Sequence, residues 1–362
     1  MSDAPSTLTS PHALVLDDLK KRGLFYQCTD EAGLREHLAQ PRTLYNGFDP
    51  TADSFTIGNL VAISILRRLQ TFGHTPIVLM GGATGRIGDP SGKDTERTLM
   101  TDETIEGNLV AQRKIFEQLL RFEGENGATI VNNHDWFKDI DVYFFLREIG
   151  KHFSVNQMLA RDAVKNRIER EGQGISYTEF SYMLLQAYDF LHLFREMNVT
   201  IQTAGSDQWG NIASGVNLIR RDEFPDYAHE IQAEQDRVKR ETGKLRPVPH
   251  EEFVTPAFGL TAPLLTKSDG GKFGKTESGA IWLSHNRPSG QPGTSPYAYY
   301  QFWLNAADED VEKFLKIFTD LPVDDENAEA LKAAGQAVDD RTIESIIEAH
   351  RAEPHRREAQ RT

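Results

Sequence analysis

Cys28 is the lone cysteine among 362 residues, so no disulfide can form within the chain. No uninterrupted apolar run approaches the roughly 20 residues a membrane-spanning helix needs. The start, Met1 to Thr9, has neither the basic segment nor the apolar stretch of a secretory signal. These absences favour the cytoplasm. A basic balance is also lacking: 40 Lys and Arg face 54 Asp and Glu, for a net charge of −14. That excludes a large nonspecific nucleic-acid surface but leaves room for a local, salt-sensitive basic footprint. The chain contains no internal repeat and no low-complexity tract. A P-loop is missing as well, because no Gly-x4-Gly-Lys-Ser/Thr spacing occurs.

What is present is globular: 39% of residues are hydrophobic and 26% charged, enough for one large or two modest domains. From Leu44 onward short β-type runs alternate with helical periodicity, which reads as βαβ and an α/β class. Strands are expected at Leu44–Phe48, Pro76–Met80, Thr129–Val131 and Val199–Thr203. A helix near Gly58–Phe72 is expected from Ile57, Val61, Ile65 and Leu69, with Gly73 as its stop. Another is expected over Thr104–Phe122. Ser176 and Glu179 form a capping box opening a helix through Asp189. The aromatic-rich stretch Asp141–Ile168 lacks a strand pattern and reads as helices leaving the sheet, packed on another subunit or within the chain. Glu230–Lys244 reads as a solvated helix, Pro247 and Pro249 as a loop. His285–Pro296 marks a boundary, with helices beyond it.

Four constellations carry chemistry. Thr51 to Leu60 lies between a strand end and a helix N-terminus, where backbone N–H groups and the helix dipole favour a phosphate. Thr51, Thr56 and Asn59 add neutral donors, although helix capping draws on the same residue types. Gly81 to Lys93, with Arg97 a turn later, pairs many glycines with the cations Arg86, Lys93 and Arg97, as a ligand-hugging loop or a tight loop with solvated charges. Lys272-Phe273-Gly274-Lys275-Thr276 is flanked by Gly270, Gly271 and Gly279. It could swing onto a polyphosphate or be a solvated basic loop. Finally, Tyr182, Gln186 and Asp189 share a face of a largely apolar helix, and Gly205-Ser206-Asp207-Gln208-Trp209 follows the next strand. A polar stripe inside a core needs partners, and a zwitterionic ligand would supply them.

Taken in order, Tyr45-x-Gly47-Phe48-Asp49-Pro50-Thr51, the loop Gly81-Gly82-Ala83-Thr84-Gly85 through Ile87-Gly88-Asp89-Pro90, Lys151-His152-Phe153-Ser154, Glu179-Phe180-Ser181-Tyr182, Gly205 to Asn211 and Lys272 to Thr276 resemble the bacterial-type tyrosyl-tRNA synthetases, class I aminoacyl-tRNA synthetases, over Leu44 to Asn305. The resemblance implies a Rossmann-like parallel-sheet catalytic domain at 1–283, with a dimer-forming helical insertion at about 136–180 and a mobile loop at 270–279. The start of a helical anticodon-binding domain would follow at 284–362. It implies ATP as substrate with Mg²⁺, no protein metal ligands, tRNA(Tyr) as partner and a homodimer. The chain would stop inside the anticodon domain, as a fragment.

Carried over by motif position, Tyr45 and Asp189 hold the substrate phenol, with Asn133 positioning Asp189. Asp89, Tyr182 and Gln186 receive the α-ammonium group. Asp49 and Gln208 orient the reacting end. Asn46, Gly47, Gly58, Gly205 and Asp207 fall on the nucleotide and ribose side. Thr51, Thr56, Asn59, Lys93, Arg97, Lys272, Lys275 and Thr276 surround the departing pyrophosphate. Two departures stand out. The class I His-Ile-Gly-His motif is Thr56-Ile57-Gly58-Asn59 here, and Asn46 stands where many relatives have cysteine. The missing imidazoles raise one alternative, an activation-impaired paralogue serving as a tyrosine-binding or protein-interaction module. The other is a tryptophanyl-tRNA synthetase, which Tyr45 and Asp189 disfavour because they suit a phenol.

Overall fold

The computed structural model of the chain describes residues 10–91, 100–161, 164–165, 168, 174–242, 257–266, 268, 273, 275–276 and 279–362. Its centre is a six-stranded sheet in the order β1-β6-β5-β2-β3-β4. These strands are β1 (Gln27–Cys28), β2 (Thr43–Phe48), β3 (Thr75–Met80), β4 (Thr129–Asn132), β5 (Val199–Gly205) and β6 (Phe258–Ala262). Every neighbouring pair is parallel except β1 with β6. β2, β3 and β5 are buried along most of their length, as a parallel sheet covered on both faces requires. From β2 the chain first adds β3 and β4 on one side, then β5 and β6 on the other. The crevice between the carboxyl ends of β2 and β5 is therefore a topological switch point, where ligands bind in open α/β sheets.

The expected strands are all present, within two residues of their expected ends. β6 and β1 were not anticipated: β6 is a short Phe-Gly-Leu-Thr-Ala run and β1 only two residues. The first long helix runs Leu60–Thr71 and buries Val61, Ile65 and Leu69 together with Ile63 and Leu66. It starts later than Gly58 because Thr56 to Asn59 form a turn of their own, with Asn59 N–H donating to Thr56 O at 3.0 Å. It ends at Gly73, whose φ of +89° suits glycine. The next helix, Asp102–Leu119, begins two residues before the expected Thr104 because Thr101 caps it. Ser176 does cap its helix, accepting from Glu179 N–H at 3.3 Å. That helix continues past Asp189 to Met197, since Phe190, Leu191 and Leu193 stay buried, and stops where Asn198 turns left-handed.

Asp141 onward is a series of short helical turns: Val142–Phe144, Phe145–Ile149, Gly150–His152 and Val155–Leu159. The solvated helix occupies Pro225–Thr242, and the expected loop at Pro247 and Pro249 lies outside the described residues. After the boundary segment come Pro296–Leu304, Asp308–Phe318, Asp325–Ala333 and Ile343–Ala352, with Val311 and Leu315 of the second packed on Ile343, Ile346 and Ile347 of the fourth. Buried polar groups tie them to the sheet-bearing part. Arg22 donates to the carbonyls of Lys316, Thr319 and Leu321, and both Arg68 and Asn327 bind the fully buried Asp18. No described helix is long and apolar enough to cross a membrane.

Candidate active site

At the switch point lies a cavity of about 320 Å³, bounded by the ends of β2 and β5 and by the Tyr177–Met197 helix. Two glycines let its floor close. A Cβ on Gly81 would come within 2.2 Å of Asp49 Oδ1, and one on Gly82 within 2.1 Å of Asn132 Oδ1. The glycine-rich loop is thus pressed against neighbouring strand ends.

One end of the cavity is built around Asp189. Asn133 Nδ2 donates to its Oδ2 at 3.0 Å and Trp136 Nε1 to its Oδ1 at 2.9 Å. Complete burial raises its carboxyl pKa to about 8 against the pull of those two donors. Tyr45, also fully buried, lines the same end, and its hydroxyl has no hydrogen-bond partner among the described residues. Burial, then the nearby Asp189, push its pKa well above the usual phenol value. A buried carboxyl beside an unpartnered hydroxyl is a site shaped for one further hydroxyl.

The middle is acidic. Thr84 Oγ1 and Tyr182 Oη donate to the two oxygens of Asp49 at 2.7 and 3.1 Å. Asn133 Nδ2 also reaches Thr84 Oγ1 at 3.0 Å, joining this group to Asp189. Gln208 Nε2 donates to Asp89 Oδ2 at 2.7 Å, and Asn211 Nδ2 bridges Gln186 Oε1 and Gln208 Oε1. Burial raises the Asp207 carboxyl pKa, Asp89 adding to the effect. Several carboxyls converging on one enclosure favour a cationic group there.

At the far end Asn46 Nδ2 donates to Thr203 Oγ1 at 3.1 Å. Thr56 and Asn59 meet: Thr56 donates to Asn59 Oδ1 through both its N–H and its hydroxyl, each at 2.9 Å. Thr51 and Gly47 line this end, as does Trp282, from a segment near the chain's C-terminal helices. Gly58 sits in the turn between Thr56 and Asn59. Lys93, Arg97 and Lys272 lie outside the described residues. Of Lys275 and Thr276 the backbone is described, as β7 (Lys275–Thr276), pairing antiparallel with β8 (Gly279–Ala280). The structure therefore brings Tyr45, Asn46, Gly47, Asp49, Thr51, Thr56, Asn59, Asp89, Tyr182, Gln186, Asp189, Gly205 and Gln208 around one enclosure, with Asn133 and Asp207 bonded to its walls.

Residues 38–361 match the family of class I tRNA synthetases (W and Y). The tyrosine–tRNA ligase of Escherichia coli strain K12 is 49% identical over 327 residues, spanning 89% of this chain and 69% of that protein. The chain belongs to the tyrosyl-tRNA synthetases. Solved structures agree. The C-terminally truncated mitochondrial tyrosyl-tRNA synthetase of Aspergillus nidulans superimposes with a TM-score of 0.74 at 28% identity, covering 98% of this chain and 90% of that one. That of Coccidioides posadasii gives 0.71 at 28% identity, covering 96% and 85%.

Around this cavity, sequence reasoning missed Trp136, Thr84, Gln202 and Trp282. Trp136 had only a weak signal, an indole N–H in a polar stretch three residues after Asn133 that needs an acceptor once it is partly buried. Gln202 sits opposite Tyr45 in the β2–β5 register, with its Oε1 buried and unpartnered among the described residues. Only the strand pairing reveals it.

Proposed function

We propose that the cavity binds tyrosine with its phenol between Tyr45 and Asp189, its ammonium group among Asp89, Tyr182 and Gln186, and its carboxylate toward the Thr51–Asn59 turn. The chain is a tyrosine–tRNA ligase, and ATP is the family's second substrate. In the first step a tyrosine carboxylate oxygen attacks the α-phosphorus of ATP, forming the mixed anhydride while the bond to pyrophosphate breaks. The carboxylate is already ionised, so no general base is needed and positioning and electrostatics do the work. Asn46, Gly47, Gly58, Gly205 and Asp207 take the nucleotide side. Thr51, Thr56, Asn59, Lys93, Arg97, Lys272, Lys275 and Thr276 are assigned to the pyrophosphate. Mg²⁺ belongs to the proposal as the ion accompanying ATP's phosphates, with no residue assigned to it. A ribose hydroxyl at the 3′ end of tRNA(Tyr) then attacks the anhydride carbonyl and releases AMP.

The observation supporting the phenol assignment is the buried Tyr45 hydroxyl, without a partner among the described residues, beside Asp189. The proposal also divides the chain into a catalytic part at 1–283 and a helical part at 284–362. It assigns the exposed Val142, Tyr143, Leu146 and Val155 to a homodimer contact, which sedimentation would read. Tyrosine-dependent ATP–pyrophosphate exchange tests the site. Exchange with tyrosine and none with phenylalanine or tryptophan is the expected result, and exchange driven by tryptophan would overturn the phenol assignment.

A further inference from the structure

Asp53 lies four residues before Ile57, in the turn that carries Thr51 and Thr56, and is 4% exposed. A buried carboxylate needs compensation, and this one finds it far away in sequence. Arg287 Nε and Nη2 approach Asp53 Oδ1 at 2.7 and 2.6 Å, and Ser289 N–H donates to Oδ2 at 2.7 Å. The same guanidinium stands 3.9 Å from the ring centroid of Trp282, which lines the far end of the cavity. Trp282 is held from other directions too. It bridges to Thr56 in antiparallel pairing, its N–H donates to Thr294 Oγ1 at 2.7 Å, and its neighbours exchange backbone bonds with Phe55 and Ile57. Two residues upstream lies β8, partner of the strand that carries Lys275.

The turn itself is stapled from behind. Asn108 and Gln112 donate to the carbonyls of Pro50 and Ala52 at 2.8 and 2.9 Å. Asp53 is thus fixed on the sheet side, and Arg287 transmits that fixed point to Trp282 and to the root of the β7–β8 ribbon. Interaction with hydrogen-bonding partners keeps the Asp53 carboxyl pKa below its ordinary value despite its burial.

We propose that Asp53 and Arg287 are positioning residues for tyrosine activation, clamping Trp282 and the root of the Lys275-bearing ribbon onto the Thr51–Thr56 turn. The inference rests on the reading of this end as the nucleotide side. Neither residue touches a reacting atom. Loosening the clamp would displace the polyphosphate groups relative to the tyrosine carboxylate, and misplacements near 1 Å cost on the order of 10²-fold in rate.

The test uses the full chain with Asp53→Asn, Arg287→Met and the double variant, each titrated for active sites by its burst of bound tyrosyl-adenylate. Expected are activation rates per active site lowered about 10- to 100-fold, a raised KM for ATP and an unchanged Kd for tyrosine. The double variant should be no worse than the poorer single one, because both break the same link. Arg287→Lys, which keeps the charge, should recover part of the rate. An unchanged rate per active site with only fewer active sites would mean a purely structural role and overturn the clamp, as would a matching loss of tyrosine affinity. If the wild-type chain itself shows no tyrosine-dependent exchange, the functional reading fails instead, so the two failures are distinct.

Discussion

Trp136 donates its indole N–H to Asp189 at 2.9 Å while its ring stacks on His192, with centroids 4.4 Å apart. The indole is fixed twice: the stack sets the ring plane, and the plane aims the N–H at the Asp189 carboxyl. Trp136→Phe keeps the stack and removes the bond. Burial keeps the Asp189 carboxyl protonated near neutral pH, so this is a neutral hydrogen bond of about 0.5–1.5 kcal/mol, and tyrosine affinity should fall roughly 2- to 12-fold with the KM for ATP unchanged. Equilibrium binding of tyrosine checks this, and an unaltered Kd would remove Trp136 from the substrate pocket.

Tyr45 offers the converse case. Its hydroxyl is buried without a partner among the described residues, which costs about 1–3 kcal/mol in the ligand-free protein. Tyr45→Phe should therefore raise the thermal midpoint of the empty enzyme while weakening discrimination between tyrosine and phenylalanine. Tyrosyl-tRNA synthetases are themselves the known case of strong hydroxyl recognition, about 10⁵ against phenylalanine without editing, and that family magnitude serves here as a ceiling on the loss. Measuring melting and exchange on one sample separates the effects; a variant less stable than wild type would show that the hydroxyl is satisfied.

The sequence made the site legible where chemistry and chain order coincide. Asp189, Tyr182 and Gln186 could be placed on one helix face because helical spacing is regular, and the Ser176 cap follows from local chemistry alone. Trp282 and Arg287 were not legible, since nothing local ties them to Asp53, more than two hundred residues earlier. Their meeting depends on how the boundary segment crosses the sheet. β6 was missed because its glycine dilutes the strand signal, and a Cβ there would meet Ile212 at 2.2 Å, a packing reason invisible before the fold.

The pH dependence of stability follows from Asp189. Its pKa rises to about 8 on folding because of burial, from an ordinary carboxyl value near 4 when unfolded. Between those values the folded chain holds a proton the unfolded chain has lost, so this group's contribution favours folding at low pH and is lost as pH rises toward 8. Asp189→Asn removes that slope. The melting difference, variant minus wild type, should grow more positive from pH 5 to pH 8.5 in the absence of tyrosine. A constant difference would place the folded pKa near its unfolded value.

Thr56 and Asn59 replace the two histidines of the motif, and their contact divides the labour between them. Asn59 Oδ1 accepts from both donors of Thr56, so under the proposed assignment of this turn to the phosphates the Asn59 amide Nδ2 would be the donor. On that proposal Thr56 would act mainly by aiming Asn59. Thr56→Val keeps the shape and the backbone bond but removes a neutral hydrogen bond of about 0.5–1.5 kcal/mol, or roughly 2- to 12-fold in the activation rate. Asn59→Asp keeps the acceptor for Thr56 yet replaces the donor with a carboxylate facing polyphosphate. It should lose a charge-assisted bond of about 1.5–3 kcal/mol, at least roughly 10- to 150-fold, with the tyrosine Kd unchanged. Pre-steady-state activation on both variants reads the order directly. A larger loss in Thr56→Val than in Asn59→Asp would mean that the threonine hydroxyl turns from Asn59 and meets the phosphate itself.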